Sequence, residues 1–332
     1  MAILVTGGGG FVGLNVVEEL LARNEQVVVF DRHGLPRFAT NIGDAHKLDL
    51  SVVTADVRDT SALKATFRKY DIQRVVHAAV ITADSARERR APNEIVDVNV
   101  GGTINVLEAA RSANCDRFVY VSSGQAYGKT HDLGQTLREE VSPSCPEDVY
   151  AITKFAAESI TERLGALWKM HVLCVRLGSV CGPWEFDTGV RDMLTPHLQV
   201  AQLALRGGAA IVPLKEVWRD WIYSRDAARG LIAIVKAAAP QYTVYHLTSG
   251  IDWQASFTAW CERLKGAYPT FSWRIATHGE RPNVSFVVER DRAPMNIERI
   301  VNDIGFKPRF GPREAFDDYI GWIRAHEEFL RG

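Results

Sequence analysis

Short apolar runs alternate with longer amphipathic stretches through the first half of the chain, and the elements they predict follow a β-α-β order. Ile3–Thr6 reads as a strand and Val12–Arg23 as a helix, with Val12, Val16, Val17, Leu20 and Leu21 on one face. Gln26–Phe30 is a second strand, ending at Asp31, and Val52–Ala55 a third, ending at Asp56. Ser61–Lys69 follows as a helix and Arg74–Ala79 as a fourth strand. Beyond a polar stretch, Glu94–Ala113 predicts a long helix feeding the strand Phe118–Ser123, and Tyr150–Leu164 a helix feeding the strand Val172–Val180. Val/Ile runs without polar interruption suit strands covered on both faces, so the fold class is α/β, a doubly wound parallel sheet. After about residue 181 the texture changes. Pro183, Pro196, Pro213, Pro269, Pro282, Pro294, Pro308 and Pro312 interrupt shorter elements, and Gly207-Gly208 and Glu289–Arg292 read as loops. Residues 1–180 are expected to form the sheet domain, and 181–332 a smaller lobe interleaved with the last strands of the sheet.

Composition narrows the class of partner. Among 332 residues, 39 Lys and Arg face 40 Asp and Glu, a balance without the electrostatic footprint of a nucleic-acid or anionic-membrane binder. No apolar stretch is long enough to span a bilayer, and Met1–Thr6 has no signal-peptide pattern, so a cytoplasmic protein is expected. Cys115, Cys145, Cys174, Cys181 and Cys261 form no CxxC pair and the histidines no HExxH, which predicts reduced thiols and no metal site.

Thr6-Gly-Gly-Gly-Gly-Phe-Val-Gly13 lies between a strand and a helix, the context of a dinucleotide fingerprint. Gly7, Gly10 and Gly13 fit its spacing, with Phe11 and Val12 opening the helix. Glycines permit the tight turn and the close approach of a pyrophosphate to the helix N-terminus. A tight turn with no ligand has the same pattern. Asp31 favours the ligand: it ends the second strand about 20 residues on, where a carboxylate holds ribose hydroxyls and repels a 2′-phosphate. The cofactor is therefore expected to be NAD, although Arg32 and Arg37 stand where they would accept the 2′-phosphate of NADP.

Tyr150-Ala-Ile-Thr-Lys154 puts a phenol and an ammonium on one helix face, where that cation and the positive nicotinamide ring of a bound cofactor would both favour the phenolate and make an acid/base near neutral pH. Alone, the spacing also describes an exposed helix pair. Ser122-Ser123, however, ends the strand before it, at the carboxyl edge where such sheets bind ligands. The ordered set continues with Asp56-Val-Arg-Asp59, His77-Ala-Ala79, Val98-Asn-Val-Gly-Gly-Thr103, Val121-Ser-Ser-Gly-Gln-Ala-Tyr-Gly128, Arg176-Leu-Gly-Ser-Val-Cys-Gly-Pro183 and Arg219-Asp-Trp-Ile-Tyr223. Together these resemble the extended short-chain dehydrogenases/reductases, NAD-dependent epimerases and dehydratases, along essentially the whole chain. The resemblance implies a Rossmann-type NAD-binding domain at 1–180 and a mainly substrate-binding lobe after it. It makes Tyr150 the acid/base, Lys154 the nicotinamide-ribose ligand and Ser123 the group that polarises the substrate oxygen. Asp56 and Val57 would border the adenine, Ala78 and Ala79 the nicotinamide-side phosphate path, with Arg32 and Ser122 also on the cofactor. Asn99 matches a helix residue near the active site, and a buried structural hydrogen bond explains it equally well.

The same resemblance bears on the reaction. Family dehydratases carry an Asp-Glu pair after the serine or threonine, and family decarboxylases a glutamate; here Gly124 and Gln125 stand there, and neither trades a proton at neutral pH. Hydride transfer at a secondary alcohol remains: an epimerase acting on a sugar, a nucleotide-sugar, resembling the 4-epimerases. Two other readings stay open, a dehydrogenase of a uronic or hydroxy acid and a non-catalytic NAD-binding sensor. Gln125, Ser179 and Arg219 are the substrate candidates. Arg219 resembles the family's diphosphate-binding arginine, and an ion pair with Asp220 or Glu216 at the surface is its other reading. Ser179 and Cys181 replace the family's usual Asn and Tyr, and Arg290-Asp-Arg-Ala-Pro294 replaces its late Arg-x-Gly-Asp-like segment. Arg87, Arg89 and Arg90 would bind a carboxylate or form a solvated face. Trp253, Trp260, Trp273 and Trp322 are expected in the core or an interface. A homodimer through Glu94–Ala113 and Tyr150–Leu164 is expected by analogy.

Overall fold

The computed structural model describes residues 1–39, 42, 49–253, 255–286 and 291–331. Glu289 and Arg290 of the expected 289–292 loop lie outside them. The chain opens with β1 (Ala2–Thr6), α1 (Phe11–Ala22), β2 (Gln26–Asp31), β3 (Leu50–Thr54), α2 (Thr60–Lys69) and β4 (Ile72–His77). Then come α3 (Ser85–Arg90), α4 (Pro92–Val96), α5 (Thr103–Ser112), β5 (Arg117–Ser123), α6 (Val149–Trp168), β6 (Val172–Leu177) and β7 (Ser179–Cys181). The remainder is α7 (Pro196–Leu205), β8 (Ala209–Val212), β9 (Trp221–Tyr223), α8 (Ser224–Lys236), β10 (Val244–Leu247), α9 (Ser256–Ala267), β11 (Ser272–Ile275), α10 (Pro312–Ala325) and α11 (Glu327–Arg331).

Seven parallel strands form one sheet in the order β3-β2-β1-β4-β5-β6-β10. Every residue of β1 and β6 is buried, including Arg176 of β6, which is paired with the buried Glu158 (2.6 Å). On one face Val17 and Leu21 of α1 share a core with Leu231 and Val235 of α8. On the other, Leu63 and Phe67 of α2 pack with Val106, Leu107 and Ala110 of α5. The order reverses between β1 and β4, so their carboxyl ends open a crevice, the place where sheets of this type bind ligands.

Two expected elements come out differently. The long helix starts at Pro92 and is interrupted by a π-helical stretch at Asp97–Gly102, where a Cβ on Gly102 would lie 2.5 Å from Val57 Cγ2. Such widened turns concentrate at functional sites. The strand expected at Val172–Val180 breaks at Gly178. There the amide of Gly178 donates to Leu247 O in the main sheet (2.9 Å), and the next amide, of Ser179, donates to Asp220 O (2.9 Å). The chain thus leaves one sheet for another, and β7 pairs with β9 instead.

The rest of the second half covers the carboxyl ends of the strands. Trp260 stacks on Phe316 and Tyr319 (centroids 4.8 and 5.3 Å), and Trp253 and Trp322 are buried beside it, so these indoles form a core. Trp273 is partly buried and donates to Glu262 (2.8 Å).

Candidate active site

The cleft begins at the glycine loop. Gly7 has φ +67°, and a Cβ there would lie 2.7 Å from Ala79 N; one on Gly13 would lie 2.0 Å from Gly7 O. Those two glycines are required by backbone packing alone. Gly10 differs: its Cβ would meet only Gly7 O, at 3.3 Å, in open cleft. Gly10 caps α1 without a side chain, and no acidic residue occupies the first turn. The N–H groups of Phe11, Val12 and Gly13 therefore face the cleft as an anion-binding helix end. Gly10 marks the cradle a pyrophosphate fits.

Asp31 accepts from the Gly9 amide (3.1 Å) and the His33 amide (2.9 Å), which ties β2 to the loop. Burial raises its carboxyl above the ordinary value, and those two N–H groups partly offset it. Arg32 lines the cleft 3.6 Å from Glu94, at the rim. Asp56 and Val57 line it too, with Asp56 engaged bidentately by Arg58 (2.9 and 2.8 Å). Ala78 and Ala79 form the floor where β4 ends. Behind them His77 bridges the Thr6 hydroxyl (2.6 Å) and the Thr103 hydroxyl (2.9 Å). Burial, with Lys154 nearby, drops that imidazole to about 3, so it stays neutral.

Asn99 is not in the cleft. Its amide donates to Ile81 O (3.1 Å) and Thr153 Oγ1 (3.0 Å) and accepts from the Ile81 amide (2.8 Å). It is the structural hydrogen bond of the two readings, and it joins the floor to α6.

Across the cleft, β5 delivers Ser122 and Ser123, and α6 delivers Tyr150 and Lys154. Asp148 caps α6 by accepting from the Ala151 amide (2.7 Å), which fixes the first turn and Tyr150 in it. Ser123 lies close enough to Tyr150 for its hydroxyl to favour the phenolate, and its oxygen accepts from the Gln125 amide (3.1 Å). The buried Ser122 Oγ has no hydrogen-bond partner among the described residues, a polar group waiting on a ligand.

Burial dominates the electrostatics of both groups. It raises the Tyr150 phenol above its ordinary value, partly offset by Ser123, Arg191 and Arg292. The Lys154 Nζ donates to Val121 O (2.5 Å), 4.9 Å over the Tyr120 ring, and burial brings it down to about 7. Helical spacing put the two groups on one face but did not include desolvation, which opposes charge on both.

Gln125, Ser179 and Arg219 all line the other half of the cleft. Arg219 is buried, not at the surface. Asp220 turns away, accepting from the Thr248 hydroxyl and the Met295 amide (2.7 Å), and Glu216 accepts from the Phe257 amide (3.2 Å). Arg87 neither faces the cleft nor sits in solvent: it clasps Asp192 (2.7 Å twice) and Gly189 O (2.6 Å). Arg191, which carried no sequence signal, lines the cleft, as does Arg292 of the segment that replaces the family's late Arg-x-Gly-Asp-like one, and Arg292 donates to Ser179 Oγ (3.4 Å). Met295 fills the space beside Gly124, where a Cβ would lie 2.9 Å from its sulfur. Among the described residues no cluster of His, Cys, Asp and Glu could hold a metal, and no helix is long and apolar enough to cross a membrane.

The NAD dependent epimerase/dehydratase family matches residues 3–247. A dTDP-glucose 4,6-dehydratase of Actinoplanes sp. is 27% identical over 342 residues, covering 99% of each chain. A UDP-glucose 4-epimerase of Neisseria meningitidis serogroup C is 30% identical over 258 residues, 71% of this chain and 73% of the relative. Among solved structures, the Thermus thermophilus UDP-glucose 4-epimerase complex with NAD matches with TM-score 0.75 at 25% identity, over 98% of this chain and 99% of that one. With its seven-stranded parallel sheet, glycine cradle and Ser/Tyr/Lys cleft, the chain belongs to the NAD-dependent epimerase/dehydratase family, enzymes of the extended short-chain dehydrogenase/reductase type whose cofactor is NAD.

Proposed function

We propose that the chain is an epimerase that inverts a secondary alcohol of a nucleotide-sugar, with Ser123, Tyr150 and Lys154 as its catalytic residues. The carrying observation is Ser123 beside Tyr150 at the carboxyl end of β5, in the same cleft as Gly10 and Lys154. Gly7, Gly10, Phe11, Val12, Gly13, Asp31, Asp56, Val57, Ala78 and Ala79 would hold NAD along the cleft, with Ser122 and Lys154 on its nicotinamide side. Bound NAD supplies a reversible hydride acceptor, a chemistry no side chain offers. Tyr150 takes the proton of the alcohol and later returns it, while Ser123 hydrogen-bonds the same oxygen and fixes its distance from the phenol. Lys154, held by Val121 O, adds positive charge that favours the phenolate when protonated. Arg219 and Arg292 suit a nucleotide diphosphate at the far end, where guanidinium forks match phosphate oxygens.

Gly124 weighs against elimination. The family's dehydratase acid would stand at this position, where a Cβ would have to displace the end of the Met295 side chain, 2.9 Å away at its sulfur. Gln125 beside it has no group that titrates near neutral pH.

Tyr150→Phe is expected to lower turnover at least about 10²-fold while NAD affinity survives; near-normal activity refutes the assignment. Incubation with NAD and a panel of nucleotide-sugars, uronic acids and hydroxy acids separates the readings. Redox-neutral interconversion supports epimerisation, accumulating NADH a dehydrogenase, and tight NAD binding without turnover a sensor.

Quaternary state and location belong to the same proposal. Val96 on α4 and Ile152 on α6 are 44% and 46% exposed, apolar surface on the two helices that would pair in a homodimer. A monomeric mass by light scattering would contradict that. Five free cysteines suit the cytoplasm.

A further inference from the structure

Arg191 stands between the two ends of the cleft, on a segment pinned from both sides. Thr82 pairs with it as a parallel bridge, donating from its amide to Val190 O (2.8 Å) and accepting from the Asp192 amide (3.1 Å). Arg87 clasps Asp192 from α3. The guanidinium lies 5.1 Å over the Phe11 ring, in the first turn of α1, and its charge reaches Tyr150 strongly enough to favour the phenolate. It is oriented by Glu185, which is fully buried and accepts Arg191 Nη2 (3.1 Å). Glu185 also accepts the Thr195 amide (2.8 Å) and the Thr195 hydroxyl (2.5 Å), so its charge is shared among three donors. The Arg191 Nε is buried, with no hydrogen-bond partner among the described residues. A buried donor on a rigidly held cation is costly unless something accepts from it. Along the substrate half of the cleft, from Leu177 to Arg292, no described lining residue is acidic, so none of them supplies a carboxylate as that acceptor.

We propose that Arg191, braced by Glu185, anchors an oxyanion between Tyr150 and the glycine loop, separate from the diphosphate at Arg219 and Arg292. The shared chemistry is a carboxylate or phosphate oxygen accepting from a guanidinium. It has two sources: a pyrophosphate oxygen of NAD above Phe11, or an acidic substituent on the sugar beside Tyr150. The second source rests on the nucleotide-sugar reading above; the first does not. A purely structural Arg191, serving only to neutralise Glu185, is the competing account.

The test measures, on wild type and variants, the affinity for NAD, and then the affinities of the NAD-loaded enzyme for UDP-glucuronate and UDP-glucose. Arg191→Met/Glu185→Gln removes both charges of the buried pair together, so neither is left uncompensated, and Arg191→Lys keeps the charge without the fork. A loss of roughly 10-fold or more in NAD affinity, in a variant with wild-type thermal stability, supports the anchor and assigns it to the cofactor. NAD affinity within threefold, with UDP-glucuronate weakened about 10-fold or more and UDP-glucose hardly changed, supports it and assigns it to an acidic sugar. NAD affinity and the preference between the two sugars both within threefold of wild type, in folded protein, overturn it. If the wild type binds neither sugar, the nucleotide-sugar reading fails by itself, and NAD affinity alone decides the role of Arg191.

Discussion

Lys154→Met is expected to make the protein more stable at pH 6 while destroying its activity. The side chain is buried, and burial brings its ammonium from the ordinary 10.5 to about 7. Between those two values the unfolded chain binds a proton that the folded chain gives up. Stability from this group therefore rises with pH across that window and is least below 7. At 1.36 kcal/mol per pH unit, the charged amine costs the folded state about 5 kcal/mol at pH 6. Methionine has the same length and no charge to bury. It forfeits the hydrogen bond to Val121 O, and an unsatisfied carbonyl costs about 1–3 kcal/mol. The balance is a gain of about 2–4 kcal/mol at pH 6, vanishing or reversing by pH 10, from the same two terms. For a chain of this size that raises Tm by about 3–6 °C in the acidic range. Thermal melts of both proteins from pH 6 to 10, read by far-UV circular dichroism, check it. A stability difference that is independent of pH would refute the desolvation argument, and a variant less stable at pH 6 would refute its sign.

Other perturbations separate ligand space from packing. Gly10→Ala is expected to fold with wild-type stability, because its Cβ meets only one carbonyl, yet to lose NAD affinity at least about 10-fold. Gly13→Ala instead drives a Cβ to 2.0 Å from Gly7 O, and should destabilise the fold by about 1–3 kcal/mol in a melt. Gly124→Asp should cost about 1–3 kcal/mol against the buried Met295 sulfur. Combined with Met295→Ala the two losses should fall short of additive by about 1 kcal/mol or more; strict additivity in denaturant titrations would mean that Met295 does not limit the site.

The cofactor half of the cleft was legible in the sequence because its chemistry is local. A glycine turn between strand and helix, an acid at the end of the next strand, and hydroxyls where β5 stops are each specified by neighbours within a few residues. The tertiary bonds they make, such as Gly9 N to Asp31, follow from strand pairing that the apolar runs already imply. What escaped depends on partners far along the chain. Gly178 ends β6 because its amide and the next find carbonyls at Leu247 and Asp220, and a Cβ there would lie 2.6 Å from Asp220 O. No periodicity in Val172–Val180 encodes that. Arg191 carried no signal in part for the same reason: besides Glu185, six residues away, what aims it is Thr82 and Phe11, brought in from distant segments. Desolvation at Tyr150 and Lys154 is also a property of the assembled core, which residue spacing does not include. The asymmetry has a functional consequence. The segments that carry substrate candidates beyond Gln125 are placed outside the seven-stranded sheet: 179 and 219 by or beside the β7–β9 pairing, 191 by the strap at Thr82, and 292 by its amide donating to Trp218 O (3.1 Å). Substrate preference can therefore change by shifts in that second layer while the glycine cradle and the Ser123–Tyr150 pair stay fixed. The three arginines, and not the fingerprint at residues 6–13, are where a difference from the family's sugars has to be sought.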